Sequence, residues 1–159
     1  KLGYDYDNNG SFARQGKVNL DLLKTFNDNS YYDKEAPKSL GREFFEKYQH
    51  QIIEESSLDV RDILATATEH IASQIVKSTD MLEKSKMLIT GGGAKNNYLV
   101  ERISELSKHE VVIPDTMIID YKEALIFAFL GTLKMEGKIN VLSSVTGATS
   151  DSSSGTIHN

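Results

Sequence analysis

The segment with the clearest potential for chemistry is GGGAKN at residues 91–96. It follows a short, continuously apolar run at residues 87–90, which is typical of a buried strand in a parallel sheet. Because glycine has no Cβ atom, Gly91, Gly92 and Gly93 let the backbone approach a flat or charged ligand closely. The helix that we expect next presents unpaired N–H groups and the positive end of its dipole. The segment therefore indicates binding of a phosphate or a nucleotide.

Three interpretations of this segment stay open on the local sequence. In a dinucleotide-binding fold, Asp115 would be the acid that binds ribose after the second strand. Against this, Asn96 stands where the third glycine of that fingerprint belongs, and residues 1–86 precede a unit that normally contains the first strand. The second interpretation is the adenosine-binding turn of a sugar kinase. The third is a tight turn on which a helix packs closely, with no ligand.

Other polar residues could take part in a site, and each also has a purely structural explanation. Lys38 and Arg42 flank Ser39 and could hold a phosphate or a carboxylate. A capped helix start with solvated basic groups is the simpler explanation of these three residues. Glu123 is expected in the first turn of a helix, where a carboxylate can contact a ligand or complement the helix dipole.

The sequence predicts no metal site held by the protein alone. The four histidines share no spacing typical of metal ligands and are expected at the surface or its boundary: His50, His70, His109 and His158. Asp5 and Asp7 lie in an Asp- and Asn-rich stretch that favours a turn, because the rest of a calcium-binding loop is absent. The lack of cysteine excludes disulfides, thiolate metal sites and a cysteine nucleophile.

The elements around the glycines form a βαβ pattern. The strand at residues 87–90 leads through the glycines into a helix over residues 96–106 and then into a strand at residues 111–113, which Pro114 ends. The inward face of this helix consists of Leu99, Ile103 and Leu106. This order predicts an α/β fold in which the two strands are parallel and the crossover is right-handed.

Three helices are predicted before this unit. A short one covers residues 18–26. Pro37 disfavours helical geometry in the residue before it, so the second helix begins after it, with Ser39 as its cap. Its apolar side consists of Phe44, Phe45, Tyr48 and Ile52. The third runs over residues 58–77, behind a capping box at residues 56–59, and should pack on the sheet. Its apolar face consists of Val60, Ile63, Leu64, Ala67, Ile71 and Ile75.

A further helix is predicted after the βαβ unit, over residues 120–135. Residues 124–130 are apolar at every position, which indicates a helix buried on most of its sides. Gly137 fits its C-terminal cap. The Ser-, Thr- and Gly-rich residues 143–154 favour a loop, followed by a short strand at residues 156–158.

The composition is that of one folded domain. The chain has 159 residues, 39% of them hydrophobic and 26% charged, so it can form a core and is not a disordered tail. A net charge of −5 argues against a nucleic-acid partner, because such binding usually shows as a basic patch. No apolar run approaches the ~20 residues of a membrane span, and no signal peptide is visible. We expect loops and short helices at residues 1–56 and an α/β core at residues 57–159.

Five segments, taken in order, resemble conserved segments of one family, anhydro-N-acetylmuramic acid kinase. The segments are YDNNG at residues 6–10 with ARQGKVN at 13–19, APKSLGREFF at 36–45, GGGAKN at 91–96, EAL at 123–125 with FA at 127–128, and Asn140 with VTGA at 145–148. They extend over nearly the whole chain, and their common order is far more specific than any one of them.

The resemblance implies an actin-like ATPase and sugar kinase fold, with two RNase H-like domains, each a mixed sheet flanked by helices, and ATP between them. The family opens the anhydro ring of 1,6-anhydro-N-acetylmuramic acid with water and phosphorylates it from ATP, giving N-acetylmuramic acid 6-phosphate in the cytoplasmic recycling of peptidoglycan. Mg²⁺ is implied because phosphoryl transfer requires neutralisation of charge on the triphosphate. Gly91, Gly92, Gly93 and Asn96 would then face adenosine and ribose, and Glu123 would contact the sugar.

Two departures qualify the resemblance. Lys122 stands where the family commonly has Met. The family's Gly-x-Asp-x-Gly-Pro-Gly-Asn segment, with the aspartate that activates water, has no counterpart here, and the chain begins at Lys1 without an initiator methionine. We therefore expect the C-terminal half of a kinase, without a catalytic residue of its own and inactive alone.

The partners that we expect are the anhydro-amino-sugar and the N-terminal half of the same enzyme, and a homodimer stays open. Three alternative functions remain: a non-catalytic actin-like nucleotide-binding domain, a fragment of a dinucleotide-binding enzyme, and a stand-alone interaction domain.

Overall fold

The computed structural model describes residues 2–35 and 38–158, so the expectation for Ala36 and Pro37 lies outside the described residues. The helices are α1 (Leu20–Asn27), α2 (Arg42–Phe44), α3 (His50–Glu55), α4 (Val60–Thr79), α5 (Asn97–Leu106), α6 (Thr116–Met135) and α7 (Ser143–Thr146). The strands are β1 (Lys86–Leu88) and β2 (Glu110–Val112). Short 3-10 turns occur at Asn8–Gly10, Ala13–Gln15 and Gly92–Lys95. None of the helices described is both long and apolar enough to cross a membrane.

The predicted βαβ unit is confirmed. β1 and β2 pair in parallel, with Lys86 opposite Glu110 and Leu88 opposite Val112, and α5 connects them. One side of this two-stranded sheet packs into a core formed by Ala72, Val76 and Ile103, with Met87, Ile89, Leu99 and Val111 against it. The burial predicted for the strands is wrong for Leu88, which is 60% exposed, because the described residues leave the other side of the sheet largely open.

Helix α4 is confirmed over Val60–Thr79, but its start and its buried face differ from the prediction. Asp59 is itself the N-cap, with its Oδ1 accepting from the backbone N–H of Arg61 at 2.9 Å, so the predicted capping box does not form. Ile71 is 46% exposed, whereas Ala65, Thr66 and Ala72 are buried. The helix contacts α5, α1 and the turn at Ala13–Gln15 as well as the sheet, so small residues are needed where these elements approach it closely.

The N-terminal helices differ from the prediction mainly at one cap. The helix predicted at residues 18–26 is α1, and Asn19 caps it by accepting from the backbone N–H of Leu22 at 2.9 Å. Ser39 is not the cap of the next helix, because Gly41 occupies the N-cap position without a side-chain hydrogen bond.

A π-helical turn at Phe45–Gln49 joins α2 to α3. Its wider winding shows in the backbone N–H of His50, which donates to the carbonyl of Phe45. On the N-terminal side, the ring of Phe44 lies 5.3 Å from that of Tyr31. On the C-terminal side, Ile52 and Ile53 pack against a core of Leu22, Phe26 and Ile63.

Helix α6 begins at Thr116, earlier than predicted, because Asp115 caps it by accepting from the backbone N–H of Ile118 at 3.0 Å. Its predicted burial is wrong for the described chain. Phe127 is 71% exposed and Phe129 61% exposed, although residues 124–130 are apolar at every position. Burial requires a second surface, and the described elements contact α6 mainly near the glycine turn.

The end of α6 confirms Gly137 as a capping residue. Gly137 has φ +68°, its N–H donates to the carbonyl of Lys134, and the N–H of Lys138 donates to the carbonyl of Leu133. This pair of bonds defines a Schellman motif. The strand predicted at residues 156–158 does not form, and the tail instead makes one antiparallel bridge between Val141 and Ser152.

Two histidines lie in the interior, contrary to the prediction that all four are at the surface or its boundary. His109 is buried, and its Nδ1 accepts from the N–H of Ser85 at 3.1 Å. His70 is 3% exposed, with Nδ1 2.7 Å from Asn27 Oδ1 and Nε2 2.9 Å from the Tyr32 hydroxyl. Asn27 Oδ1 can only accept, so Nδ1 carries the proton, and Nε2 is then free to accept from the Tyr32 hydroxyl, which is the arrangement of a neutral ring.

Burial lowers the pKa of His70, because a charged imidazolium would lose its hydration. The unfolded chain then binds the proton more tightly than the folded one. We therefore expect the protein to lose stability as the pH falls below about 6.5, the ordinary pKa of histidine. The limiting slope is about 1.4 kcal/mol per pH unit.

Thermal unfolding between pH 7.5 and 5.5 measures this effect. The His50→Gln variant should keep the slope, since His50 is exposed. The His70→Gln variant should lose the slope, whatever its stability at neutral pH. An unchanged slope in His70→Gln contradicts the assignment.

Candidate functional site

The glycine turn is defined here as residues 91–96, between β1 and α5. Gly91 has φ +81° and ψ −175°, a backbone conformation that is essentially restricted to glycine. The N–H of Ala94 donates to the carbonyl of Gly91 and that of Asn96 to the carbonyl of Gly93, both at 3.0 Å. The turn therefore requires glycine at its first position and is held together by its own backbone.

The outer surface of the glycine turn is open. A Cβ atom added at Gly91 or Gly92 would meet no atom within 4 Å, and one at Gly93 would meet only Leu99 Cδ2, at 3.9 Å. A Cβ atom at these positions would therefore clash with nothing in the described chain. The glycines leave the backbone uncovered at the carboxyl end of a parallel strand, where ligands bind in open α/β sheets.

Asn96 has a defined structural role in the turn. Its Oδ1 accepts from the backbone N–H of Leu99 at 3.0 Å, so Asn96 is the N-cap of α5. A Cβ atom at Gly10 would lie 2.4 Å from that same oxygen, which places the N-terminal turn directly against the cap. Asn96 thus holds the start of α5 in position, and its predicted contact with a nucleotide stays a prediction.

Helix α6 is bonded to both ends of the glycine turn. Lys122 Nζ donates to the Thr90 hydroxyl at 2.6 Å, immediately before Gly91. At the other end, Lys95 forms an ion pair with Asp120. The sequence does not reveal these contacts, because threonine and charged residues are too common to indicate a specific pair.

Glu123 lies on α6 beyond its first turn, since the helix begins at Thr116. The predicted position in the first turn is therefore wrong, and complementing the helix dipole no longer explains this carboxylate. The side chain is exposed. It is free to contact a ligand that approaches α6 from solvent.

The basic residues of the second family segment make local contacts. Lys38 Nζ donates to the carbonyl of Tyr32 at 3.0 Å and lies 5.2 Å from the centre of the Tyr31 ring. Arg42 pairs with Glu46 one helical turn further on, with 2.7 Å between Nε and Oε1, and Ser39 is exposed. These contacts support a structural role at the start of the helix.

The N-terminal Asp-rich stretch forms a turn, as predicted. Asp7 accepts from the backbone N–H groups of Phe12 and Ala13, each at 2.9 Å, through its two carboxylate oxygens. This turn is joined to α5 by Arg14, which pairs with Glu101 and lies 5.0 Å from the centre of the Tyr98 ring. The hydrogen bond from Arg14 lowers the pKa of Glu101.

The described residues do not fit a metal ion held by the protein alone. Within residues 2–35 and 38–158, no three His, Asp or Glu side chains are grouped as ligands for one ion. Several of the described carboxylates instead accept from backbone N–H groups, among them Asp7, Asp59 and Asp115.

The fold and the site together define an α/β domain with an open glycine turn at the carboxyl end of a parallel strand. A family model described as anhydro-N-acetylmuramic acid kinase matches residues 1–159. The chain belongs to this family.

Curated relatives agree with the family assignment. An anhydro-N-acetylmuramic acid kinase of Sulfurimonas denitrificans is 34% identical over 98% of this chain and 46% of its own length. Those of Actinobacillus pleuropneumoniae and Francisella tularensis subsp. novicida are 35% and 37% identical, over 96% and 92% of this chain. The matches cover 44% and 41% of these two relatives, so the chain spans less than half the length of the curated relatives it matches.

Proposed function

We propose that this chain is the C-terminal, nucleotide-binding half of a kinase that uses ATP to hydrolyse and phosphorylate 1,6-anhydro-N-acetylmuramic acid. The product would be N-acetylmuramic acid 6-phosphate, formed in the cytoplasmic recycling of peptidoglycan. The observation that carries the proposal is the glycine turn, open at the carboxyl end of β1, in a chain of this family. In this assignment the two-stranded unit is part of a larger RNase H-like sheet of the actin-like class.

The described residues fit the nucleoside part of ATP. The open backbone at Gly91 and Gly92 gives a flat base and ribose room to approach, and the cap at Asn96 holds α5 in position beside them. Bound ATP would supply the phosphoryl group. Mg²⁺ would neutralise its phosphates, but the described carboxylates form no group for it, and no step assigned to this chain depends on it.

The second half of the enzyme is required for chemistry. Phosphoryl transfer depends on positioning and on stabilisation of charge from both sides of the nucleotide. The family's water-activating aspartate belongs to a segment without a counterpart here. We therefore expect the 159-residue chain by itself to show no turnover of the anhydro-sugar.

The test compares the full-length protein with the isolated chain. The full-length protein should phosphorylate the anhydro-sugar from ATP, whereas the isolated chain should bind ATP weakly and form no product. Titration with NAD serves as the control, since preference for NAD over ATP would contradict the kinase assignment. ATP binding by the full-length protein without any turnover would favour a non-catalytic nucleotide-binding protein.

Glu123 is the side chain that we propose for contact with the sugar. The Glu123→Gln variant keeps its size but removes the charge, so the KM for the anhydro-sugar should rise about tenfold, as expected for one lost charged hydrogen bond. The KM for ATP should stay unchanged. Steady-state kinetics of the full-length enzyme measure both. Glu83→Gln, on the exposed surface, is the matched control, and an unchanged sugar KM in Glu123→Gln contradicts this role.

A further inference from the structure

We propose that Lys122 is a positioning residue that holds the glycine turn and α6 in one arrangement, so that nucleotide binding at the turn is coupled to the position of Glu123. The inference rests on the proposed function.

The bond from Lys122 acts at the entrance to the turn. Its ammonium donates to Thr90 Oγ1 at 2.6 Å, and Lys122 is only partly exposed. Thr90 directly precedes Gly91, and a Cβ atom placed at Gly91 would meet no atom within 4 Å, so nothing packs against that side of the backbone. The exit of the turn is held separately, by the ion pair between Lys95 and Asp120. Two bonds of different chemistry therefore hold the two ends of the turn to one helix.

The geometry of an α-helix places Glu123 on the side of α6 that faces the turn. Successive residues are about 100° apart, so Lys122 and Glu123 lie about 200° and 300° around the axis from Asp120. Around the helix axis, two arcs separate Asp120 from Lys122, one of about 160° and one of about 200°. The shorter arc contains Glu123 and also Ile119, which is half-buried. Tyr121, on the longer arc, is 62% exposed. The arc with Glu123 is therefore the one directed at the turn.

Two consequences follow from this arrangement. A nucleotide that orders the turn also orders the helix that carries Glu123, because Thr90 and Lys95 are bonded to it. Loss of the Lys122 bond leaves the entrance of the turn unrestrained, and part of the binding free energy of the nucleotide must then order it. Lys122 should therefore affect nucleotide affinity more than the rate of the chemical step.

The experiment uses the full-length protein and three variants. Lys122→Met keeps the aliphatic stem and removes the donor, Lys122→Arg keeps a donor, and Lys24→Met is the control on an exposed helix position. We expect Lys122→Met to raise the KM for ATP about tenfold, with kcat within about twofold of the parent. Without nucleotide, the backbone amides of residues 91–96 should exchange hydrogen severalfold faster in this variant. Lys122→Arg should restore both properties, and Lys24→Met should match the parent.

Two results would overturn the proposal. One is a Lys122→Met variant with the parent's KM for ATP and the parent's exchange at residues 91–96. The other is a parallel loss of kcat and melting temperature without rescue by arginine, which identifies a general stabilising role. If the parent protein binds no ATP, the proposed function fails, but hydrogen exchange at the turn still tests the bond from Lys122.

Discussion

Alanine at Gly91 is expected to raise the Kd for ATP at least tenfold. The φ of +81° with an extended ψ costs a residue with a Cβ atom about 1–3 kcal/mol, so the turn would take another path. Because no atom lies within 4 Å of the new Cβ, the loss arises from the backbone conformation and not from a clash. The melting temperature should fall by no more than a few degrees, since the turn lies at the surface.

The matched control is Gly131→Ala, in the interior of α6. A Cβ atom there also meets no atom within 4 Å, but Gly131 is helical, so alanine should stabilise the protein by about 0.5–1 kcal/mol. Isothermal titration with ATP and thermal unfolding of both full-length variants provide the comparison. Parent-like ATP affinity in Gly91→Ala would show that the conformation of the turn does not matter for nucleotide binding.

Alanine at Gly16 is expected to destabilise the protein by about 3 kcal/mol, at the upper end of overpacking effects. The added Cβ would lie 2.0 Å from the carbonyl oxygen of Arg61 and 2.8 Å from the backbone nitrogen of Asp62, in the first turn of α4. Backbone atoms of a helix cannot move aside as the end of a side chain can. The φ of Gly16 is −84°, so the effect is purely steric.

Gly41→Ala provides the contrast for Gly16→Ala. Its Cβ would approach Glu43 Oε2 at 2.1 Å, but that atom ends a flexible, exposed side chain that can turn into solvent. Because alanine is a poorer N-cap than glycine, the free energy of unfolding should fall, but by no more than about 1 kcal/mol. Urea denaturation of the full-length variants measures both values, and equal midpoints for the two variants would refute the steric explanation.

The features that the sequence predicted well are local. The βαβ unit was predicted from a short apolar run, three glycines and the helical spacing of apolar residues in α5. All three patterns involve residues that are near neighbours in the chain. The role of Gly137 was predicted for the same reason, since a helix end requires a residue with positive φ. The site was predicted in part: the turn at Gly91 has the conformation that only glycine provides, and its contact with a ligand stays a prediction.

The features that the sequence did not predict depend on what lies against a residue in space. Phe127 and Phe129 belong to an apolar helix, yet the described chain offers them no covering surface. His70 is buried because Asn27 and Tyr32 satisfy both of its nitrogens, and these partners are distant in sequence. Several polar residues precede α4, and each could cap it. Asp59 is the one that does, because the backbone geometry at the start of the helix selects among them.

The π-helical turn at Phe45–Gln49 changes how this region tolerates insertions and deletions. Removal of one residue would restore ordinary α-helical winding and rotate α2 by about 100° relative to α3. The ring of Phe44 could then no longer face Tyr31 while Ile52 packs on the Leu22 core. A conservative point substitution in this segment is therefore tolerable, whereas a single-codon deletion would separate the aromatic cluster from the core. The length of this segment, more than its composition, therefore sets the orientation of the aromatic cluster relative to the core.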